Sequence, residues 1–207
     1  MNYRLNPYYS VILMSQRNNA PYSDRVLNDG ITIEYEGHDE PRSKDIDDPK
    51  IIDKPQYTKT GALTQNGLFI QAVEQYKRGN RSPEKVKVYE KILSGVWSFK
   101  GFFNLIDYRL HNDGKRNSFV FVLQLSEAQD TQNKNTHINL EHTRLIPSEV
   151  KREVWRRDGG KCVLCQSSNN LHFDHDLPFS KGGTSLTSKN IRLLCMKCNF
   201  KKSDKIE

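Results

Sequence analysis

Four cysteines stand in the last quarter of this chain as two Cys-x-x-Cys pairs, Cys162/Cys165 and Cys195/Cys198, and no other cysteine occurs. This spacing constrains the fold more than any other feature. Two thiolates at i and i+3 on a tight turn point at one ion, and two such turns complete a tetrahedral zinc. In a chain without an export signal, paired knuckles read as a metal site rather than as disulfides. All four thiols are then used, and none is left as a nucleophile. The segment around them must be small and closed on itself by metal.

The segment is also basic. Residues 151–207 hold 12 Lys and Arg against 6 Asp and Glu, and residues 51–100 hold 9 against 4, whereas residues 1–50 hold 6 against 9. Excess positive charge in blocks attracts polyanions, nucleic acid above all, although a solvated basic face is the ordinary alternative. The 207 residues include 9 Tyr, 9 Phe and 2 Trp, too many large rings for a disordered tail. The longest apolar runs, Val11–Met14 and Phe119–Leu123, fall far below the roughly 20 residues that cross a bilayer. The N-terminus has no apolar signal core. These readings predict a cytoplasmic protein without a membrane partner.

Patterning divides the chain. Residues 1–125 predict mostly strands: Tyr8 to Met14, the alternating Ile31 to Tyr35, Val86 to Ile92, and Phe119, Phe121, Leu123 and Leu125 at period two. One helix is expected from Leu68, Phe69, Ala72, Val73 and Tyr76, with Thr64 as N-cap and Gly79 as the stop. Residues 126–146 are polar and aperiodic and predict a linker. Residues 147–207 predict a helix from Pro147 to Arg157, stopped at Asp158-Gly159-Gly160, then a zinc knuckle, a short β-hairpin and a final helix at the second knuckle.

Between the knuckles the chain reads Asp174-His175-Asp176-Leu177-Pro178-Phe179-Ser180-Lys181-Gly182-Gly183, and later Asn190-Ile191-Arg192-Leu193-Leu194-Cys195-Met196-Lys197-Cys198-Asn199 with Lys202 beyond. Residues 145–205 closely resemble the HNH nuclease family. The resemblance implies a ββα-metal fold with a structural zinc and one catalytic divalent ion, Mg or another such as Mn, Co or Ni. Asp174 and Asn199 would be ligands of that ion. His175 would be the general base on water, a role suited to a group that titrates near neutrality. Asn190 would pin the loop and orient the histidine, and Arg192 and Lys202 are further candidates for phosphate contacts. Asn199 also has a plain alternative as a helix N-cap.

Residues 7–125 resemble the SRA domain, a PUA-like β-barrel-type reader of modified cytosine. The resemblance rests on Pro21 to Gly30, Ile33 to Asp39, Leu63 to Gly67 and Val86 to Lys91. Gly101 to Tyr108 stands where the family often carries Tyr-Asp-Gly-x-Tyr, which this chain lacks as written. The family flips the modified base from the duplex, and stacking offsets the lost pairing. Carried over, Tyr22 and Tyr35 would be the stacking rings and Asp24 the acceptor for the cytosine amino group. The family's aspartate lies three residues after its first tyrosine, whereas Asp24 lies two after Tyr22. The whole chain is similar to modification-dependent restriction endonucleases, an α+β architecture of reader plus nuclease. The implied activity is cleavage of double-stranded DNA near 5-methylcytosine, 5-hydroxymethylcytosine or a bulkier derivative. The alternatives are a non-specific or nicking nuclease whose first domain binds another ligand, and a zinc-stabilised reader without cleavage. One HNH site cuts one strand per engagement, so a double-strand break predicts a homodimer.

Overall fold

The computed structural model describes residues 1–44, 46–126 and 145–203, and the chain forms two compact units, Met1–Thr131 and Gln132–Glu207. The expected linker, 126–146, falls almost entirely outside the described residues. No described helix is long and apolar enough to cross a membrane.

The first unit is built on a seven-stranded sheet. Its strands are β1 (Asn2–Asn6), β2 (Tyr9–Met14), β3 (Arg25–Val26), β4 (Thr32–Glu36), β5 (Glu84–Leu93), β6 (Val96–Asn112) and β7 (Asn117–Leu125). They lie in the order β1-β2-β5-β6-β7-β4-β3, with β2 and β5 parallel and the other pairs antiparallel. The parallel pair needs a crossover, and α1 (Gln65–Lys77) lies within it. The sheet rolls until its ends approach. Val26 N donates to Gln16 Oε1 at 2.9 Å and Ser15 N to Asp24 Oδ2 at 3.1 Å, so side chains close the seam beyond β2. The barrel-type expectation is met by this rolled sheet.

The inner face follows from alternation. Val86, Val88 and Ile92 of β5, Phe103 and Leu105 of β6, and Phe121 and Leu123 of β7 are fully buried together with Phe69 and Val73 of α1. Phe69 meets Phe121 edge to face at 5.5 Å. Thr64 caps α1 by accepting from Gly67 N at 3.1 Å. Residue 67 must be glycine, because a Cβ there would stand 2.3 Å from the Gln56 carbonyl. Gly79, at φ +75, ends the helix in the left-handed region.

The second unit begins with α2 (Ser148–Arg157), whose Val150 and Val154 pack with Ile146 against Ile191 and Leu193. The chain turns through Gly159 and Gly160, both at positive φ, into the first knuckle. The hairpin is β8 (Leu171–His175) against β9 (Ile191–Cys195), and α3 (Met196–Lys202) follows directly. The α+β class expected for the whole chain is the class observed.

Candidate active site and metal centre

The register of the hairpin decides what the second unit brings together. Leu171 pairs with Cys195 at one end, and Asp174 and His175 pair with Arg192 and Ile191 at the other. One end of the ββα unit therefore carries thiols and the other carries the acid and the imidazole.

At the thiol end, the sulfurs of Cys162, Cys165, Cys195 and Cys198 all lie within 4.8 Å of one another, and Cys165 Sγ stands 3.5 Å from Cys195 Sγ. A tetrahedral zinc with 2.3 Å bonds to sulfur needs S···S edges of about 3.8 Å. The four residues fit that ion, and Cys162 and Cys195 are buried around Leu194 as a second small core.

At the other end, Asp174, His175, Phe179 and Lys202 line a concavity of about 230 Å³. Lys202 is 1% exposed and donates to Asp174 Oδ2 at 2.7 Å and to the His175 carbonyl. Lys202 is thus an internal partner of Asp174 rather than a surface contact for phosphate. It cross-links the last turn of α3 to the end of β8. The second oxygen of Asp174 has no partner among the described residues. Asn199 lies one turn before Lys202 on α3, and residues three apart share a helix face. Its side-chain amide is likewise unengaged among the described residues, although it does not line the concavity. Arg192, the other phosphate candidate, pairs with Asp176 at 3.1 Å.

Asn190 ties the loop between the strands into a fixed shape. Its Oδ1 accepts from Leu177 N at 2.8 Å, and its Nδ2 donates to the Thr184 carbonyl at 2.9 Å and the Leu177 carbonyl at 3.2 Å. The loop closes so tightly that a Cβ at Gly183 would stand 1.8 Å from the Leu177 carbonyl. Holding Thr184 places the next residue, Ser185, which is buried and whose Oγ lies 2.9 Å from His175 Nε2. Ser185 was not foreseen. It lies ten residues from His175 in a stretch without pattern, and only the loop's folded path joins them.

In the first unit, Tyr22, Asp24 and Tyr35 share one neighbourhood, since the charge of Asp24 and the Tyr22 hydroxyl both act on Tyr35. Their present environments differ from an open stacking pocket. Tyr35 is 1% exposed, and burial raises its phenol well above the usual range. Asp24 accepts backbone N–H groups on both oxygens, from Ser15 at 3.1 Å and Glu36 at 3.1 Å, and burial pushes its carboxyl up to about 6. Tyr22 is half-buried, with the Lys50 ammonium 4.1 Å and the Lys54 ammonium 4.7 Å from its ring centre.

Beside them lies a buried ionic cluster that also escaped sequence reading. Lys54, with no exposed side-chain surface, pairs with Glu36 at 2.7 Å and Asp39 at 3.2 Å. Arg116 bonds both acids too, at 3.2 and 2.8 Å.

The second unit thus joins four clustered thiols at one end of a ββα frame to an acid–imidazole pair over a polar concavity at the other. Residues 162–205, within the second unit, match the family model described as HNH endonuclease, and a nuclease is the class of protein that this match supports. No curated protein matches the chain. Among solved structures, the SUVH5 SRA domain with hemi-methylated CG DNA is similar at 16% identity and TM-score 0.39, over 60% of this chain and 70% of that one. The SUVH5 SRA domain bound to fully hydroxymethylated CG DNA is similar at 16% identity and TM-score 0.37, over 60% and 69%. The Type IV phosphorothioation-dependent restriction endonuclease ScoMcrA is similar at 14% identity and TM-score 0.35. That match covers 93% of this chain, which spans 50% of that structure.

Proposed function

We propose that this chain is a modification-dependent DNA endonuclease, whose first unit reads a 5-modified cytosine and whose second unit hydrolyses a nearby phosphodiester. The observation that carries the nuclease half is the concavity where Asp174 and His175 stand side by side, one held by Lys202 and the other by Ser185.

His175 accepts a proton from a water as that water's oxygen forms a bond to phosphorus. The bond from phosphorus to the leaving sugar oxygen breaks. Ser185 contacts Nε2 and so helps to hold the imidazole in place. Asp174, through its unengaged oxygen, and Asn199, through its amide, are the residues that would hold a divalent ion. Oxygen donors suit the hard cations Mg and Mn, and Co and Ni are accepted by the same set. Such an ion neutralises charge that develops on the phosphate and its leaving group. Asn190 keeps the loop shut, so the imidazole does not swing away.

The reader half rests on the sequence resemblance of residues 7–125 and on the gathering of Tyr22, Asp24 and Tyr35. A flipped base would need Tyr35 to uncover a ring face and Asp24 to exchange one backbone partner for an amino group. The burial of Tyr35 favours a second reading, a nicking HNH nuclease whose first unit binds a different ligand. One assay separates them: cleavage of paired duplexes that differ only in the cytosine 5-substituent, by the native chain and by Tyr22→Ala. We expect faster cleavage of the modified duplex by the native chain and loss of that preference in the variant. Equal rates on both duplexes for the native chain would leave the second reading.

A further inference from the structure

We propose a second nucleic-acid surface, on the outer face of β2, β5 and β6, that binds an unpaired DNA strand by stacking. It lies on the side of the sheet away from the core, and neither the nuclease concavity nor the Tyr22 neighbourhood includes it.

The outward positions of β5 at period two include Lys85, Lys87 and Tyr89. Opposite them on β6 stand Phe102, paired with Lys87, and Phe99, paired with Tyr89. Residues three apart on a regular strand point to opposite faces. Here a bulge intervenes: Val88 pairs with Gly101 and Tyr89 with Phe99, so Lys100 is the extra residue and turns inward to buried Glu90. Gly101, at φ +141, supplies the backbone conformation that this requires. The bulge is therefore what puts Phe99 and Phe102 on one face, with ring centres 5.6 Å apart. Tyr9 of β2 extends the same patch, 5.5 Å from Phe102.

The charge on this face is of one sign. The Lys87 ammonium sits 5.2 to 5.7 Å from the ring centres of Tyr9, Tyr89 and Phe99, and Lys85 sits 5.7 Å from Phe102. Neither lysine has a carboxylate partner among the described residues. The pattern continues with Lys91 over Trp97. Phe99 is 47% exposed, unusual for a ring of its size in a sheet.

Cations resting on aromatic rings with no counter-charge complement a partner that is anionic and has flat π-faces of its own. An unpaired nucleic-acid strand has both. A duplex hides its base faces, so a flat ring platform contributes little to binding it. Successive outward residues on a strand advance about 6.7 Å, twice the stacked-base spacing, which suits a strand drawn out of its helix. We commit to DNA, the substrate proposed above for this chain's nuclease unit, because ends freed by cleavage can fray into unpaired strand.

The test uses the full chain with His175→Ala, so that substrates stay intact. Fluorescence anisotropy would follow binding of a labelled oligothymidine, with oligouridine and an unmodified duplex as parallel arms. We expect oligothymidine to bind and Phe99→Ala/Phe102→Ala to weaken it by about tenfold per ring. Lys87→Gln, a half-buried change on the outer face that leaves the core intact, should lower the salt slope of oligothymidine binding by about 0.7. It decides the matter if the double variant fails to fold. Unchanged affinity and slope would overturn the proposal, as would tighter binding of oligouridine. So would a homodimer that these substitutions dissolve, since the face would then be covered by a second copy. Oligothymidine contains no modified cytosine, so this result is independent of whether the first unit reads one.

Discussion

At the residue scale, the catalytic assignments stand on two hydrogen bonds. His175→Ala removes the proposed base at the rim of the concavity, away from the four cysteines, so cleavage should be abolished while zinc content and DNA binding stay close to native. Residual turnover at neutral pH above what hydroxide supports would exclude the general-base role. Ser185→Ala tests the positioning role. The ring loses its hydroxyl partner on Nε2, so kcat should fall about 10- to 100-fold with KM little changed. The pH profile should shift with it, because the imidazole loses a partner. Ser185→Thr, which keeps the hydroxyl, should recover part of the rate. If Ser185→Ala changes neither kcat nor the profile, the serine only packs. Lys202 shows why residue types alone mislead: a lysine three residues after Asn199 in a basic helix reads as a phosphate contact, yet folding buries it against Asp174.

At the element scale, the four-cysteine cluster and the buried ionic cluster each join segments distant in sequence. Cys195 ends β9 and immediately precedes α3. Cys195→Ser opens a closed tetrahedral site, so it should loosen β8, β9 and α3 and release metal. Metal analysis of native and variant protein checks this, and a native protein without tightly held zinc would refute the four-thiolate reading. In the first unit, burial alone would raise Glu36, but bonding to Lys54 holds its carboxyl below the usual 4.5. A depressed carboxylate lends stability above its unfolded pKa, and that stability is lost as pH falls below about 4.5. Asp24 has the opposite sign. Its folded value is about 6 against 3.8, so its contribution is full below 3.8 and lost as pH rises through 6. His38 and the Met1 ammonium, lowered by burial to about 4 and about 6, act in the opposite sense between pH 7 and 5, so Asp24 is isolated by comparison: the melting temperature of the native chain relative to Asp24→Asn should rise modestly from pH 7 to about 5. Amide NMR signals of β4 and β7 followed on heating would show it. A flat difference between the two proteins from pH 7 to 5 would remove Asp24 from the account. Elements with unbroken periodicity, β4, β7 and α1 with its Thr64 cap, were legible in the sequence. The 17-residue β6 was not, because register shifts near Gly101 and Ile106 break its alternation, and β1 is an edge strand with little apolar pattern.

At the scale of the whole molecule, one HNH site per chain makes double-strand cleavage a matter of assembly. We expect nicks from a monomer and double-strand breaks only where two copies meet, with light scattering run on the same samples as the cleavage assay. A strict monomer that makes clean double-strand breaks would end the two-site argument. The sequence by itself determined the four-cysteine cluster, the Asp174–His175 pair and the division into a strand-rich part and a cysteine-bearing part. Those features rest on ligand spacing, adjacency and periodicity, all of which act over a few residues. Tertiary structure alone decided that Lys202 holds Asp174 across 28 residues, that Ser185 reaches His175, and that Lys54 and Arg116 share Glu36 and Asp39. It also decided that Phe99 and Phe102 face the same way. Each of these depends on strand register, a bulge or a loop's path, and those are set by how distant segments pack together.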